Sequence, residues 1–293
     1  MTLYYYHICS DGNFSSVLFR NATDFKAAMN RIAVCAYKTP GIKILAFVLM
    51  DNHVHFVVSC TSESACRKFI AEFFRLTGKY NWDYYRQKAT VRGIPVKVIR
   101  ETDEDSLKTV IAYVLKNPTK ARLGMFFNYP WGTGALYFGG SKEYEQSLVR
   151  LGDVSVEEAG PYTVRRQCRT LFHLPADWIL RDGVILPDNY VDVQAVEKLY
   201  GTSRSYMYFL SLNKDDEIER DMGEWSELRM SDSELRTERD RIIQEMFGKN
   251  AVRTLTAPER LKLAVALRRR FVCSKKQLSR IVHLPYEELT KKM

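Results

Sequence analysis

No stretch of this 293-residue chain approaches the roughly 20 consecutive apolar residues that a membrane-crossing helix requires. The opening segment, MTLYYYHICSDGNF, has neither the basic flank nor the long apolar run of an export signal. Cysteine is scattered: Cys9, Cys35, Cys60, Cys66, Cys168 and Cys273 form no C-x-x-C pair, which argues against a disulfide framework or a zinc cluster. There is no G-x-x-x-x-G-K-S/T loop to cradle the phosphates of a nucleotide. Histidine is also scarce, with five in the whole chain. The expectation is a soluble, cytoplasmic protein with reduced thiols, no membrane partner and no nucleotide cofactor.

The net charge of +9 is unevenly distributed. Residues 1–142 hold 19 Lys/Arg against 10 Asp/Glu, residues 143–250 hold 14 against 22, and residues 251–293 hold 11 against 3. Two basic ends thus flank an acidic middle. Basic surfaces attract phosphate polymers by releasing counterions, so nucleic acid is the partner class this pattern favours. A merely solvated basic face gives the same count.

The first 140 residues alternate strand and helix patterns. Leu3–Cys9 and Ser16–Phe19 read as a strand or hairpin about the Asp11-Gly12 turn signal. A helix capped by Thr23 carries Phe25, Ala28, Met29 and Ile32 on one side and stops near Pro40. KILAFVLM and HVHFVVS are two strands about the turn Asp51-Asn52, and a helix from about Glu63 to Tyr85 follows. IPVKVIR is a fourth strand, with Pro95 at its start. The last helix, SLKTVIAYVLKN, is capped by Ser106 and closed by Pro118. The order β-α-β-β-α-β predicts an α+β fold, a ferredoxin-like antiparallel sheet with one added helix. Three regions are expected: an α+β domain over 1–142, an acidic middle with a linker over 143–232 (charged run KDDEIERDMGEWSE), and a basic helical domain over 233–293.

Two of the five histidines form His53-Val54-His55 inside a predicted strand. Strand side chains alternate, so His53, His55 and Val57 share one face while Val54, Phe56 and Val58 share an apolar face for packing. Two imidazoles a few ångströms apart are a natural pair of metal ligands. Two hydrogen-bonded core histidines satisfy the pattern as well. Val57 takes the place where a histidine-triad hydrolase or a metallo-β-lactamase-like site would need His or Asp. In the last helix, Leu107, Val110, Ile111, Val114 and Leu115 form the packed stripe. Tyr113 and Asn117 lie one turn apart on its shoulder, at the rim of the packed face. A rim tyrosine followed by a C-cap asparagine is the plainer reading of that helix.

These pieces, FVLMDNHVHFVV, IAYVLKNPTKARL and YPWGTGALYF, stand in an order and at a spacing that resemble the HUH-type single-tyrosine transposases, specifically the REP-associated tyrosine transposases. The resemblance covers about residues 1–140. It implies that Tyr113 is the nucleophile, that His53 and His55 bind a divalent metal (Mg²⁺ or Mn²⁺), and that Asn117 supplies a third ligand. It also implies a single-stranded DNA substrate next to hairpins formed by imperfect palindromes, in DNA recombination or transposition. The loop YPWGTG departs from the YPWSS common in relatives, which questions DNA contacts there rather than the chemistry.

Residues 258–293 read as helices whose Leu278, Ile281, Val282, Leu284 and Leu289 have the spacing of a helix-turn-helix. His283 stands where a turn glycine is common, and a small helical bundle that contacts protein is the competing reading. Lys116, Lys120, Arg122, Arg268, Arg269, Arg270, Lys275, Lys276 and Arg280 are the cations expected to contact DNA. Two functions follow. One is a metal-dependent single-strand endonuclease and strand transferase working through a 5′-phosphotyrosine. The other is a non-catalytic, hairpin- or sequence-specific DNA-binding regulator on the same fold. Monomer and dimer stay equally open.

Overall fold

A computed structural model describes residues 3–12, 17–86, 91, 93–139, 152–169, 173–212, 218, 232–271, 275–286 and 288–289. Strands β1 (Tyr4–Ser10), β2 (Lys43–Leu49), β3 (Val54–Cys60) and β4 (Val96–Glu101) form an antiparallel sheet ordered β2-β3-β1-β4. Helix α1 (Ala22–Lys38) joins β1 to β2 and α2 (Glu63–Tyr85) joins β3 to β4. This is the ferredoxin-like order, and α3 (Glu104–Lys120) follows it as the added helix.

The apolar side of β3 meets α2, where Phe56 packs edge-on against Phe69 and Phe73 at ring separations of 5.1 and 5.6 Å. All three rings are fully buried, and burying each contributes about 1.5–3 kcal/mol. The other side of β3 meets α3, so the histidine face is covered too. Edge strand β2 is closed by the YPWGTG segment: Leu49 N–H donates to Trp131 O (2.9 Å) and Thr133 N–H to Phe47 O (3.1 Å). Phe47 N–H donates to the Thr133 hydroxyl at 3.1 Å. Gly134 is required here, because a Cβ would sit 2.4 Å from Phe126 O.

Several local expectations change. Val17–Phe19 is not a strand; Leu18 and Phe19 give their N–H groups to Asp51 O (2.6 and 3.1 Å), which removes them from pairing with β1. Ser16 lies outside the described residues. The cap of α1 is Asn21, not Thr23, with its side chain accepting from Asp24 N. The cap of α3 is Asp103, not Ser106; its carboxylate accepts Ser106 N–H at 2.8 Å, and the Ser106 hydroxyl turns to Glu101. Pro118 does not end α3 but lies inside it. A proline cannot donate to the carbonyl four residues back. Here the Asn117 amide does so, reaching Val114 O at 3.3 Å and Tyr113 O at 3.0 Å.

One compact unit comprises residues 1–10 and 17–218, so it includes much of the acidic middle. Strands β5 (Val154–Ser155), β6 (Ile179–Arg181) and β7 (Val184–Ile185) form a small second sheet, next to α4 (Val156–Cys168). Asn30 of α1 ties this sheet down, donating to Gly183 O and accepting from Ile185 N, both at 2.8 Å. Helices α5 (Val193–Tyr200) and α6 (Ser203–Ser211) lie by α3, where the Tyr200 hydroxyl donates to Lys108 O at 2.7 Å. The charged run 214–227 lies outside the described residues except for Ile218.

The other unit comprises residues 11–16 and 219–293. Its helices α7 (Asp232–Phe247), α8 (Ala257–Arg270) and α9 (Lys275–Val282) enclose an aliphatic core that includes Leu235, Ile242, Ile243, Leu263, Leu267, Leu278 and Ile281. Thr256 and Glu259 form a capping box at the start of α8. His283 takes the left-handed conformation (φ +54°) after α9, where Leu284 N–H returns to Ser279 O at 3.2 Å. No helix among the described residues is long and apolar enough to cross a membrane.

Candidate functional site

The turn at Asp51-Asn52 places His53 just before β3 and His55 within it. Their rings lie 5.0 Å apart, nearly perpendicular at 84°, as side chains at i and i+2 on one strand face should. His53 Nδ1 is 2.7 Å from Asn52 Oδ1. An amide oxygen only accepts, so His53 carries its proton on Nδ1 and its lone pair on Nε2.

Across the sheet, β1 pairs with β3 in a register that sets Cys9 opposite His55 and His7 opposite Val57. His7 Nε2 therefore reaches His55 Nδ1 at 3.0 Å, with the rings stacked at 14°. His7, Cys9 and His55 are all buried and their ligand atoms lie within 4.8 Å of one another, so this group could hold a metal ion. His53 is not part of it. His7 and Cys9 are the site residues that sequence reasoning missed. The available signal was H-x-C on one face of a strand, but its meaning depends on a register 48 residues away. Burial lowers the His7 pKa to about 3. Burial also lowers that of His55 well below the usual imidazole range, and the neighbouring basic groups His53, His7 and Lys120 disfavour a further proton there. Both rings are neutral near pH 7, which is the form that binds metal.

Tyr113 reaches the same face from α3. Its ring meets His55 edge-on at 5.8 Å and His7 at 6.2 Å. The tyrosine is not at an open rim; only 5% of it is exposed. The exposed Lys120 folds over it, with Nζ 4.2 Å from the ring centroid. Asn117 lies one turn beyond Tyr113 and is half-buried. Its Nδ2 is committed to the backbone carbonyls of Tyr113 and Val114.

The cations expected at DNA have varied surroundings. Lys116 is half-buried and donates to Leu212 O at 2.7 Å, while Arg270 holds Glu245 with two bonds of 2.9 and 3.0 Å. Arg122 and Arg280 are exposed and Arg268 is half-buried. The side chains of Arg269, Lys275 and Lys276 lie outside the described residues. Among the tyrosines ending α2, Tyr80 and Tyr85 both donate to Asp24 Oδ1, at 3.0 and 2.7 Å, which is a structural role. Tyr84 stays exposed; the neighbouring Lys88 and Arg92 lie outside the described residues.

No family model matches the chain, and no curated protein does. Among solved structures, the REP-associated tyrosine transposase bound to a REP hairpin is similar over 45% of this chain and 75% of that one, at 15% identity and a TM-score of 0.33.

Proposed function

We propose that the chain cuts and rejoins single-stranded DNA beside hairpins, as an HUH-type REP-associated tyrosine transposase with Tyr113 as its nucleophile. The observation that carries this reading is the meeting of His55 from β3 and Tyr113 from α3 on one sheet face, 5.8 Å apart, under the Lys120 ammonium. In the reaction the Tyr113 oxygen forms a bond to phosphorus as the bond from phosphorus to the 3′-oxygen breaks. The tyrosine proton is lost and the departing 3′-hydroxyl gains one. The 5′-phosphotyrosine keeps the ester energy, so a second 3′-hydroxyl reverses the step without a nucleotide cofactor.

The donor set fits a divalent ion: the His53 lone pair is on Nε2, His55 is neutral, and Asn117 offers Oδ1. When bound, Mg²⁺ or Mn²⁺ would polarise the scissile phosphate and neutralise its developing charge. Lys120, next to the tyrosine ring, would meet the same phosphate. The basic helices after residue 233, with the helix-turn-helix spacing of α9 and the segment after it, would add DNA affinity that falls steeply with salt. The deep burial of Tyr113 favours a second reading, a DNA-binding regulator that retains the fold without the chemistry.

Tyr113→Phe separates the two. With hairpin-flanked single strands in Mn²⁺ or Mg²⁺, cleavage by the variant should fall by roughly 10³-fold or more while hairpin binding is kept. Cleavage that persists in Tyr113→Phe would mean that water, not tyrosine, attacks.

A further inference from the structure

We propose that His7 is a positioning residue for His55: it accepts the Nδ1 proton of His55 and so keeps the lone pair of His55 on Nε2, the atom that a cation would take. The inference rests on the reading of His53 and His55 as metal ligands. His7 Nε2 and His55 Nδ1 are 3.0 Å apart, and only one proton fits between them. If that proton belongs to His7, His55 accepts it, carries its own proton on Nε2 and cannot bind a metal through that nitrogen. If it belongs to His55, Nε2 is bare.

The neighbouring histidine has already made the second choice. Asn52 Oδ1 compels His53 Nδ1 to donate, which leaves the lone pair of His53 on Nε2. With His7 as acceptor, both strand histidines present the same atom, each held from behind by a different partner. Ligating histidines are commonly oriented in this way through their other ring nitrogen. His7 can act so from β1 because it is 1% exposed and stacked on His55, so the pair cannot exchange partners with water.

The test uses the full chain with ¹⁵N-labelled histidine, together with Mn²⁺ titration followed by electron paramagnetic resonance. In the metal-free wild type, the His55 proton should be on Nδ1. His7→Phe keeps a ring in the space and deletes the acceptor; it should move the His55 proton to Nε2 and weaken Mn²⁺ binding about 10–100-fold. His7→Gln restores an acceptor near the same place and should recover both readouts, which a purely packing role would not. Should His7→Phe fail to fold, the wild-type tautomer alone decides. A wild-type His55 proton on Nε2 overturns the proposal, as does Mn²⁺ affinity unchanged in His7→Phe. Thiolate-to-metal charge transfer with Co²⁺ that disappears in Cys9→Ser and in His7→Phe also overturns it, because His7 would then be a ligand. A wild type that ignores Mn²⁺ but holds the His55 proton on Nδ1 would remove the metal reading and leave the orientation by His7 intact.

Discussion

The interiors of the two units differ in kind. Around the four-stranded sheet, the core takes in His7, His55, Asp24, Asn30, Arg31, Thr77 and Asn81 along with its phenylalanines. In the described helices after residue 232, the fully buried side chains are aliphatic apart from Gln277, and the mostly covered Arg239 spends its guanidinium on Ile281 O. Burying a polar group costs free energy unless its hydrogen bonds are met, so a fold keeps such groups where packing alone does not specify the arrangement. Asp24 and Asn30 explain themselves as structural ties. The His7–His55 pair ties little together and lies against a tyrosine. The polar interior is therefore where the proposed chemistry would lie, and the aliphatic bundle would carry the basic residues proposed to add DNA affinity.

Core truncations set the scale for this contrast. Phe56→Ala should destabilise the sheet unit by about 3–5 kcal/mol and Leu267→Ala the helical unit by about 2–5 kcal/mol. Hydrogen exchange at β3 amides and at α8 amides would read the two effects separately. If Phe56→Ala proved mild, the sheet would not depend on its apolar face and the contrast would break.

Acid sharpens it further. His7 has its pKa lowered from 6.5 to about 3, so below pH 6.5 the unfolded chain binds a proton that the folded one refuses. Stability of the sheet unit is complete above pH 6.5 and falls as pH drops toward 3. His7 alone accounts for about 2 kcal/mol at pH 5, and His55 acts in the same direction. In the helical unit, the Lys249 ammonium and the Thr256 cap hold Glu259 down at about 2, and Arg270 lowers Glu245. Those contributions are present above pH 4.5 and fade only below it. Between pH 6.5 and 5, exchange protection should therefore drop in β1 and β3 and stay level in α8. The smallest effect is expected from Arg270→Ala, whose pairing with Glu245 is exposed; the melting transition should not move beyond error.

The sheet, its strand order and the bounds of α2 were legible because hydrophobic periodicity is strong there and each turn carries its own signal. Caps were less so: Asn21 and Thr23, or Asp103 and Ser106, are chemically equivalent candidates, and only the route of the chain chooses. Pro118 reads as a stop until the Asn117 side chain is seen to replace the lost backbone donor. That His53 and His55 share a face followed from strand alternation; that Tyr113 belongs with them came only from the resemblance, and helix phase put it at a rim where the structure buries it. His7 and Cys9 were not legible, since strand register is a long-range property set by the whole sheet. Lys116 and Arg270 look like DNA-facing cations in sequence because their partners, Leu212 O and Glu245, come from other helices or their ends.

The most direct measurement is to map the covalent adduct. Wild-type protein incubated with hairpin-flanked single strands and Mn²⁺, denatured and digested, should yield one DNA-linked peptide, containing IAYVLKNP with a 5′-phosphate on Tyr113. An adduct on Tyr80, Tyr84 or Tyr85, or tight hairpin binding that never gives an adduct with Mn²⁺ or Mg²⁺, would contradict the account.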